Sequence, residues 1–386
     1  MRTWFLVIFL LSFICVLGNA SCTEQHFLSE LPYAKELQEA IDQVWLAYPD
    51  YDLGVSAAII VPGYETWTGV SGYSQPNNPI TKDMLFDIGS IAKNFEAALV
   101  LELAEDDVLS LEDPIVKYLS SYPNIDGNIS IRQLLNHTSG VFNVFEHPDF
   151  PWVGPNVDYA KAWTVDEVIG NFVLEPYGPP GYAQHYSSTN YLLITQIIEA
   201  VTGRAVPDEI RRYFLEPLKL NHTFVSMGEQ PPAEYSVAHP WADIDLDGQM
   251  DDLVGIPLTW KATLTHPVMF STAQDLVSWI NALYHEEGVL SAHALAEMLT
   301  YPETKLHDPD GGKYGVGVID FTDRLGTHAI GHGGSSLGYS AAALYLPEYG
   351  ISVVWLINTG ESPAELAGQM MGHLWSSISG VLVQHQ

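Results

Sequence analysis

Cysteine is nearly missing from this chain. Among its 386 residues only Cys15 and Cys22 occur, both close to the start. Loss of a leader ending at Ser21 would remove Cys15 and leave no pair for an internal disulfide. Positive charge is scarce too: 15 Lys and Arg stand against 47 Asp and Glu, a net charge of −32. With no basic stripe and a pI near 4.5, the surface is a poor match for nucleic acid or an anionic membrane. Charged residues of both signs reach only 16%, against roughly 25% in an average globular protein. Long apolar runs are absent after the start. The run Trp4 to Leu17 is about 14 residues, short of the ~20 that span a bilayer.

What is present is enough apolar character, 47%, to build a core, which excludes disorder as the main state. The basic Arg2, the apolar run and the small residues Gly18-Asn19-Ala20-Ser21 read as a signal peptide over residues 1–21. The protein is then expected to be secreted or periplasmic. Cys22, directly after the small residues, fits lipid acylation at the cell envelope as well as it fits simple secretion. Such a lipid would be the sole membrane link, and one acyl chain is a marginal anchor. Residues 22–386 are expected to form one folded domain.

Apolar spacing predicts an amphipathic helix over 25–48 and two strands, Leu53–Val61 and Glu65–Val70, joined at Pro62-Gly63. A helix is expected from about Ser90 to Leu103, and mainly helical chain from about 105 to 295. Strand patterns return at Tyr314–Asp320, His328–Ile330, Tyr339–Leu346 and Ile351–Asn358, before a last helix near 363–378. The fold class is α/β (α+β): an antiparallel sheet built from both ends of the chain, about 50–90 and 310–380, with a helical region inserted. The junction between the two is the natural place for a cleft.

Ser90-Ile91-Ala92-Lys93 follows Gly89 at the predicted helix start. That spacing puts Lys93 one turn from Ser90 on the same face, where a neutral amine takes a serine proton. The pattern is short and arises by chance, so context decides. Tyr186-Ser187-Ser188 precedes another apolar helix, and His332-Gly333-Gly334 follows a strand. A phenol, an amine, a serine and a histidine on a glycine-lined strand form an acyl-transfer set. The N–H groups of Ser90 and Ser335 are the expected oxyanion donors.

With Phe86-Asp-Ile-Gly-Ser-Ile-Ala-Lys93, Ile131-Arg-Gln-Leu-Leu-Asn-His-Thr-Ser-Gly140, His185-Tyr-Ser-Ser-Thr-Asn-Tyr191 and Gly331-His-Gly-Gly334 in that order, the chain resembles the serine β-lactamase and penicillin-binding-protein-like hydrolases. That group holds class C β-lactamases, D-alanyl-D-alanine carboxypeptidases, D-aminopeptidases and related esterases. The resemblance implies a β-lactamase/transpeptidase-like fold over about 50–380. It also implies Ser90 as nucleophile, Lys93 and Tyr186 as the shared base, and His332 in place of the Lys of a Lys-Thr-Gly element. Two departures stand out: the family's Tyr-x-Asn ends here in Ser188, and Lys-Thr-Gly is His332-Gly333-Gly334. Both remove groups that grip a substrate carboxylate, since His is neutral near pH 7 unless its pKa is raised. The expectation is a serine hydrolase of small esters, amides or peptides that needs no cofactor. A carboxypeptidase or β-lactamase is the first alternative, and a non-catalytic surface-anchored binding relative the second.

Other motifs carry less. Gly334-Ser335-Ser336-Leu337-Gly338 matches G-x-S-x-G, but too little chain follows for the rest of that hydrolase fold. Asp243, Asp245 and Asp247 with Gly248 have the opening spacing of a calcium loop, yet position 12 is Val254, so an acidic turn and a structural Ca²⁺ cage stay equal readings. His328 and His332 would share a strand face, without a third ligand for zinc. His137 reads as a structural histidine.

Overall fold

The computed structural model describes residues 28–48, 53–154, 156–226, 230–245, 247–258, 261, 267–285, 288–304, 313–360 and 364–385. The predicted signal peptide and Cys22 lie outside them.

Thirteen strands are described: β1 (Gly54–Ile60), β2 (Trp67–Gln75), β3 (Asn78–Pro79), β4 (Phe86–Asp87), β5 (Thr223–Ser226), β6 (Trp241–Ala242), β7 (Asp251–Asp252), β8 (Val268–Ser271), β9 (Lys313–Tyr314), β10 (Ile319–Asp320), β11 (Ile330–Ser336), β12 (Tyr339–Leu346) and β13 (Ile351–Ile357). Eight of them form one antiparallel sheet in the order β3-β2-β1-β13-β12-β11-β10-β9. The two ends of the chain meet at its centre, where Val55 pairs with Ile357 and Ile60 with Ser352. β1 and β13 are apolar on both faces because both faces are covered. β2, nearer the edge, alternates buried and half-buried residues.

The helices used below are α1 (Ala34–Leu46), α2 (Ala92–Glu105), α3 (Ile131–Leu135), α4 (Val165–Phe172), α5 (Ser188–Thr202), α6 (Val206–Ile210), α7 (Ala273–Tyr284), α8 (Ala292–Met298), α9 (Thr322–Leu325) and α10 (Ala364–Gln384). α1 and α10 cover one face of the sheet, with Leu37, Ile41 and Val44 meeting Val353, Trp355, Leu374 and Ile378. α7 covers the other face and joins the larger core around α2 and α5. α2 is buried nearly all round, from Ala92 to Leu101, so its apolar residues fill the helix rather than one stripe.

Four expectations need correction. The first helix begins at Ala34, behind Pro32; the residue before a proline is pushed out of the helical region, which blocks an earlier start through that segment. The inserted region holds helices α3 to α8 but also strands that were not expected: β5 and β8 form a small sheet with β4, β6 and β7 pair, and long irregular stretches connect them. The expected strand Tyr314–Asp320 is broken into β9 and β10 at Gly317, which has φ +70. The strand expected at His328–Ile330 is β11, and it runs through His332-Gly333-Gly334 rather than ending before them. Glycine reads as a turn in sequence, but here it allows close backbone approach: a Cβ at Gly334 would sit 2.0 Å from the Ile88 carbonyl oxygen. His328 is exposed and outside the strand, so it does not share a face with His332.

Candidate active site

The turn that carries Ser90 is made by one glycine and one aspartate. Gly89 has φ +52 and opens a short 3₁₀ turn, Gly89–Ile91, that leads into α2. A Cβ there would lie 2.5 Å from the Ser335 carbonyl oxygen, so only glycine lets this turn lie against β11. Gly89 N–H donates to Asp87 Oδ1 at 2.8 Å, and Ser336 Oγ donates to Asp87 Oδ2 at 2.7 Å. Lys261 forms a buried ion pair with the same carboxylate. Thus Ser336, the serine of the G-x-S-x-G match, is a buried brace for the turn.

Ser90 Oγ is met from two sides. Lys93 Nζ lies 3.0 Å away and Tyr186 OH donates to it at 3.0 Å. The Lys93 amine also lies over the rings of Tyr186 and Tyr191, 5.3 and 5.6 Å from their centroids. Tyr186 is held by its successors, because Ser187 N–H donates to His137 Nδ1 at 3.2 Å and Ser188 N–H to Asn143 Oδ1 at 3.2 Å. His137 sits at φ +58, fully buried, its ring 4.3 Å from that of Tyr186. Burial, then the charge of Lys93, holds His137 well below the usual histidine range, so it is neutral. Its Nδ1 accepts, so its Nε2 carries the hydrogen, buried and without a hydrogen-bond partner among the described residues.

His332 is also buried, at 1% exposure. Burial pushes its pKa down to about 3, against the opposing hydrogen bond to the Gly333 carbonyl and with help from Lys93. Nδ1 donates to that carbonyl, leaving Nε2 to accept from Tyr314 OH at 2.8 Å. His332 is therefore an uncharged partner of Tyr314 on the site's inner wall. Gly333 and Gly334 are half-exposed and Ser335 exposed along β11, which turns this stretch of backbone toward the cleft. Ser188 lies at the first residue of α5 and also lines the cleft.

The cleft has a volume of about 1000 Å³ and takes in Ser90, Lys93, Tyr186, His332 and Ser335. Three of its residues escaped sequence reasoning. Glu146 accepts from Tyr177 OH at 2.7 Å and lies 3.2 Å from His185 Nε2, with nearly half its side chain exposed. Asn143 caps α5 from the run after His137. Glu96 lies one turn beyond Lys93. The Ser-x-x-Lys-x-x-Glu spacing was a readable signal for Glu96, whereas Lys261 had none.

Away from the cleft, ligand oxygens of Asp243, Asp245 and Asp247 lie within 4.8 Å of one another. Asp243 already accepts from Asp247 N–H and Gly248 N–H at 3.0 and 2.9 Å, the geometry of an acidic turn.

A serine with a lysine and a tyrosine on its hydroxyl thus lies in a cleft between the inserted region and the antiparallel sheet. The β-lactamase family model matches residues 50–370, and the chain belongs to that family. Penicillin-binding protein 4* of Bacillus subtilis is 25% identical over 307 residues, covering 75% of this chain and 64% of that protein. Unguisins hydrolase ungD' of Aspergillus campestris is 25% identical over 335 residues, covering 83% and 61%. The chain thus spans less than two thirds of the length of these relatives. Two solved structures match over nearly their whole length. A D-stereospecific amidohydrolase from Streptomyces sp. is 28% identical with a TM-score of 0.72, covering 84% of this chain and 94% of that one. D-amino acid amidase from Ochrobactrum anthropi complexed with D-phenylalanine is 25% identical with a TM-score of 0.74, covering 89% and 98%.

Proposed function

We propose that this protein cleaves amide or ester bonds of small amino-acid derivatives through an acyl-enzyme on Ser90. The single observation that carries the reading is the Ser90 hydroxyl bonded at 3.0 Å to both Lys93 and Tyr186. In the reaction, Ser90 Oγ attacks the substrate carbonyl carbon while Lys93, coupled to Tyr186, takes the hydroxyl proton. The backbone N–H groups of Ser90 and Ser335 steady the oxyanion. The proton passes to the departing amine or alcohol, and water then releases the acyl group with the same base acting again.

Two features support an amino-acid amide over a β-lactam or a peptide C-terminus. Glu146 offers a half-exposed carboxylate at the cleft, suited to a free α-ammonium group. His332 is uncharged and engaged with Tyr314, so it gives no fixed cation for a carboxylate. The solved relatives named above as D-stereospecific amidohydrolase and D-amino acid amidase agree with this preference. The secreted or envelope location predicted from the leader stays part of the same proposal.

The test is kcat/KM on D-phenylalanine amide, a butyrate p-nitrophenyl ester, nitrocefin and a D-Ala-D-Ala peptide, with Ser90→Ala as control. Amide or ester turnover lost in Ser90→Ala supports the reading. Faster turnover of nitrocefin or the D-Ala-D-Ala peptide would replace it with a β-lactamase or carboxypeptidase. No Ser90-dependent turnover of any substrate would leave the binding relative.

A further inference from the structure

The cavity that holds Ser90 does not stop at β11. Its lining includes Ala341, from the core around α2 and α7, but also Leu344, Trp355 and Trp375, from the core under α1 and α10. It therefore reaches both faces of the sheet. β10 pairs only with Ile330 and Gly331, so the edge of β11 beyond them carries no neighbouring strand and leaves room for the two parts to join.

On the α10 face, side chains are missing where the cavity lies. Gly333 of β11 and Gly368 and Gly372 of α10 border it, and a Cβ at any of the three would meet nothing within 4 Å. None of them has a positive φ. The close approach that requires glycine at Gly89 and Gly334 is therefore absent here. Glycine inside a helix costs stability relative to alanine, yet two of them stand one turn apart on α10, beside open space. The walls are apolar: Phe321 and Leu325 flank α9, and Leu344, Trp355, Met371 and Trp375 complete them. Trp355 Nε1 already donates to Met371 Sδ at 3.0 Å.

One charged side chain borders this part of the cavity, the exposed Arg324 of α9. Arg132, Arg204 and Arg212 each pair with a glutamate, whereas Arg324 has no ion-pair partner among the described residues. Its neighbour Asp320 is turned to Thr322, whose N–H donates to it at 2.9 Å. In a chain of net charge −32, a cation without an acid at the rim of an apolar space is a place for an outside anion.

We propose that this part of the cavity is a second binding site, which takes a single alkyl chain ending in a carboxylate: the chain lies between α10 and β11, and the carboxylate meets Arg324. A peptide would bring amide groups for which these walls have no partners, and burying them unpaired is costly. An alkyl chain needs no partners and gains with every methylene buried. A guanidinium matches a carboxylate with two parallel hydrogen bonds. The inference goes beyond the acyl-enzyme reading and does not depend on it, since the ligand is held and not cleaved.

The test is equilibrium binding of radiolabelled octanoate, decanoate and decanol by flow dialysis at low salt. Decanoate is expected to saturate one site and to bind about tenfold tighter than octanoate, each added methylene being worth up to about fourfold. Arg324→Gln is expected to weaken decanoate about fivefold or more and to leave decanol within about twofold. Gly372→Leu fills the space from a helical position that suits leucine, and is expected to weaken both ligands at least about tenfold. Thermal melting and covalent labelling of Ser90 by a short alkyl fluorophosphonate, in which the Oγ–P bond forms and fluoride leaves, check that each variant is folded. If Gly372→Leu melts below wild type, Gly368→Leu makes the same test. Decanoate bound equally well by wild type and a folded leucine variant would overturn the site. Equal losses of decanoate and decanol in Arg324→Gln would overturn the carboxylate assignment, and absence of saturable binding would overturn the whole. None of these outcomes bears on turnover at Ser90.

Discussion

Asp87 and Lys261 form an ion pair that is almost sealed from solvent, at 2% and 7% exposure. Its carboxylate also holds Gly89 N–H and the Ser336 hydroxyl, so one residue ties the Ser90 turn to the end of β11. The amine lies 5.5 Å from the centroid of the Tyr339 ring and 3.4 Å from the Leu337 carbonyl. Removing one partner of such a pair leaves a charge buried alone. Lys261→Ala is expected to destabilise the protein by about 3–5 kcal/mol in urea unfolding and to lower activity with it. Stability within error of wild type would show that the pair is not what holds the turn.

Glu146 predicts a selective defect. In Glu146→Gln the carboxamide keeps the size and the contact with Tyr177 but loses the charge. KM for a D-amino acid amide is expected to rise about tenfold or more, the loss of one charge-assisted contact, with kcat little changed. A substrate with an acetylated amino group should be affected far less. Equal losses on both substrates would mean that Glu146 serves the shape of the cleft and not the ammonium.

His332 makes a prediction about acid. Its folded pKa, about 3, lies below the value of 6.5 for a free histidine. Between those values the unfolded chain binds a proton that the folded protein does not, so stability falls as pH falls. One such proton costs up to about 1.4 kcal/mol per pH unit below pH 6.5. His137 titrates in the same direction, so wild type carries both contributions. His332→Gln should remove one of them: its stability, measured by urea at pH 7, 5.5 and 4.5, should drop less steeply than wild type. Parallel slopes would mean that His332 takes up its proton without unfolding.

Gly89→Ala tests the turn itself. The added methyl meets the Ser335 carbonyl oxygen at 2.5 Å, and φ +52 is costly for alanine. A loss of about 1–3 kcal/mol is expected, together with slower labelling of Ser90, because strand and nucleophile must move apart. Full labelling at the wild-type rate would show that the contact is dispensable.

The fold's outline was legible in sequence because its central strands carry strong local patterns. β1, β12 and β13 are short apolar runs bounded by turn residues, and their length and those bounds, not a period, set them apart from buried helix. Ser90, Lys93 and Tyr186 were legible because each stands at a helix start in a recognisable run. β11 was misplaced since its glycines look like a turn until Ile88 and Ala343 are packed against them. Lys261 and Glu146 carry no local signal; only tertiary folding brings them beside Asp87 and the cleft. The neutrality of His332 was expected from its type, but its engagement with Tyr314 depends on burial that no spacing reveals.

The central pairing of β1 with β13 joins positions such as Val55 and Ile357, about 300 residues apart along the chain. During synthesis, Ser90 and Lys93 are made early, and β11 to β13 emerge much later. Until they do, β1 has β2 but lacks its second partner, and the Gly89 turn lacks the Ser335 backbone against which it is seated. Closing so large a loop adds little to the equilibrium cost, which grows only with the logarithm of length. It weighs instead on the rate, since contacts this distant form slowly. A nascent or truncated chain ending before β11 therefore holds Ser90, Lys93 and Tyr186 without the strand that completes their cleft.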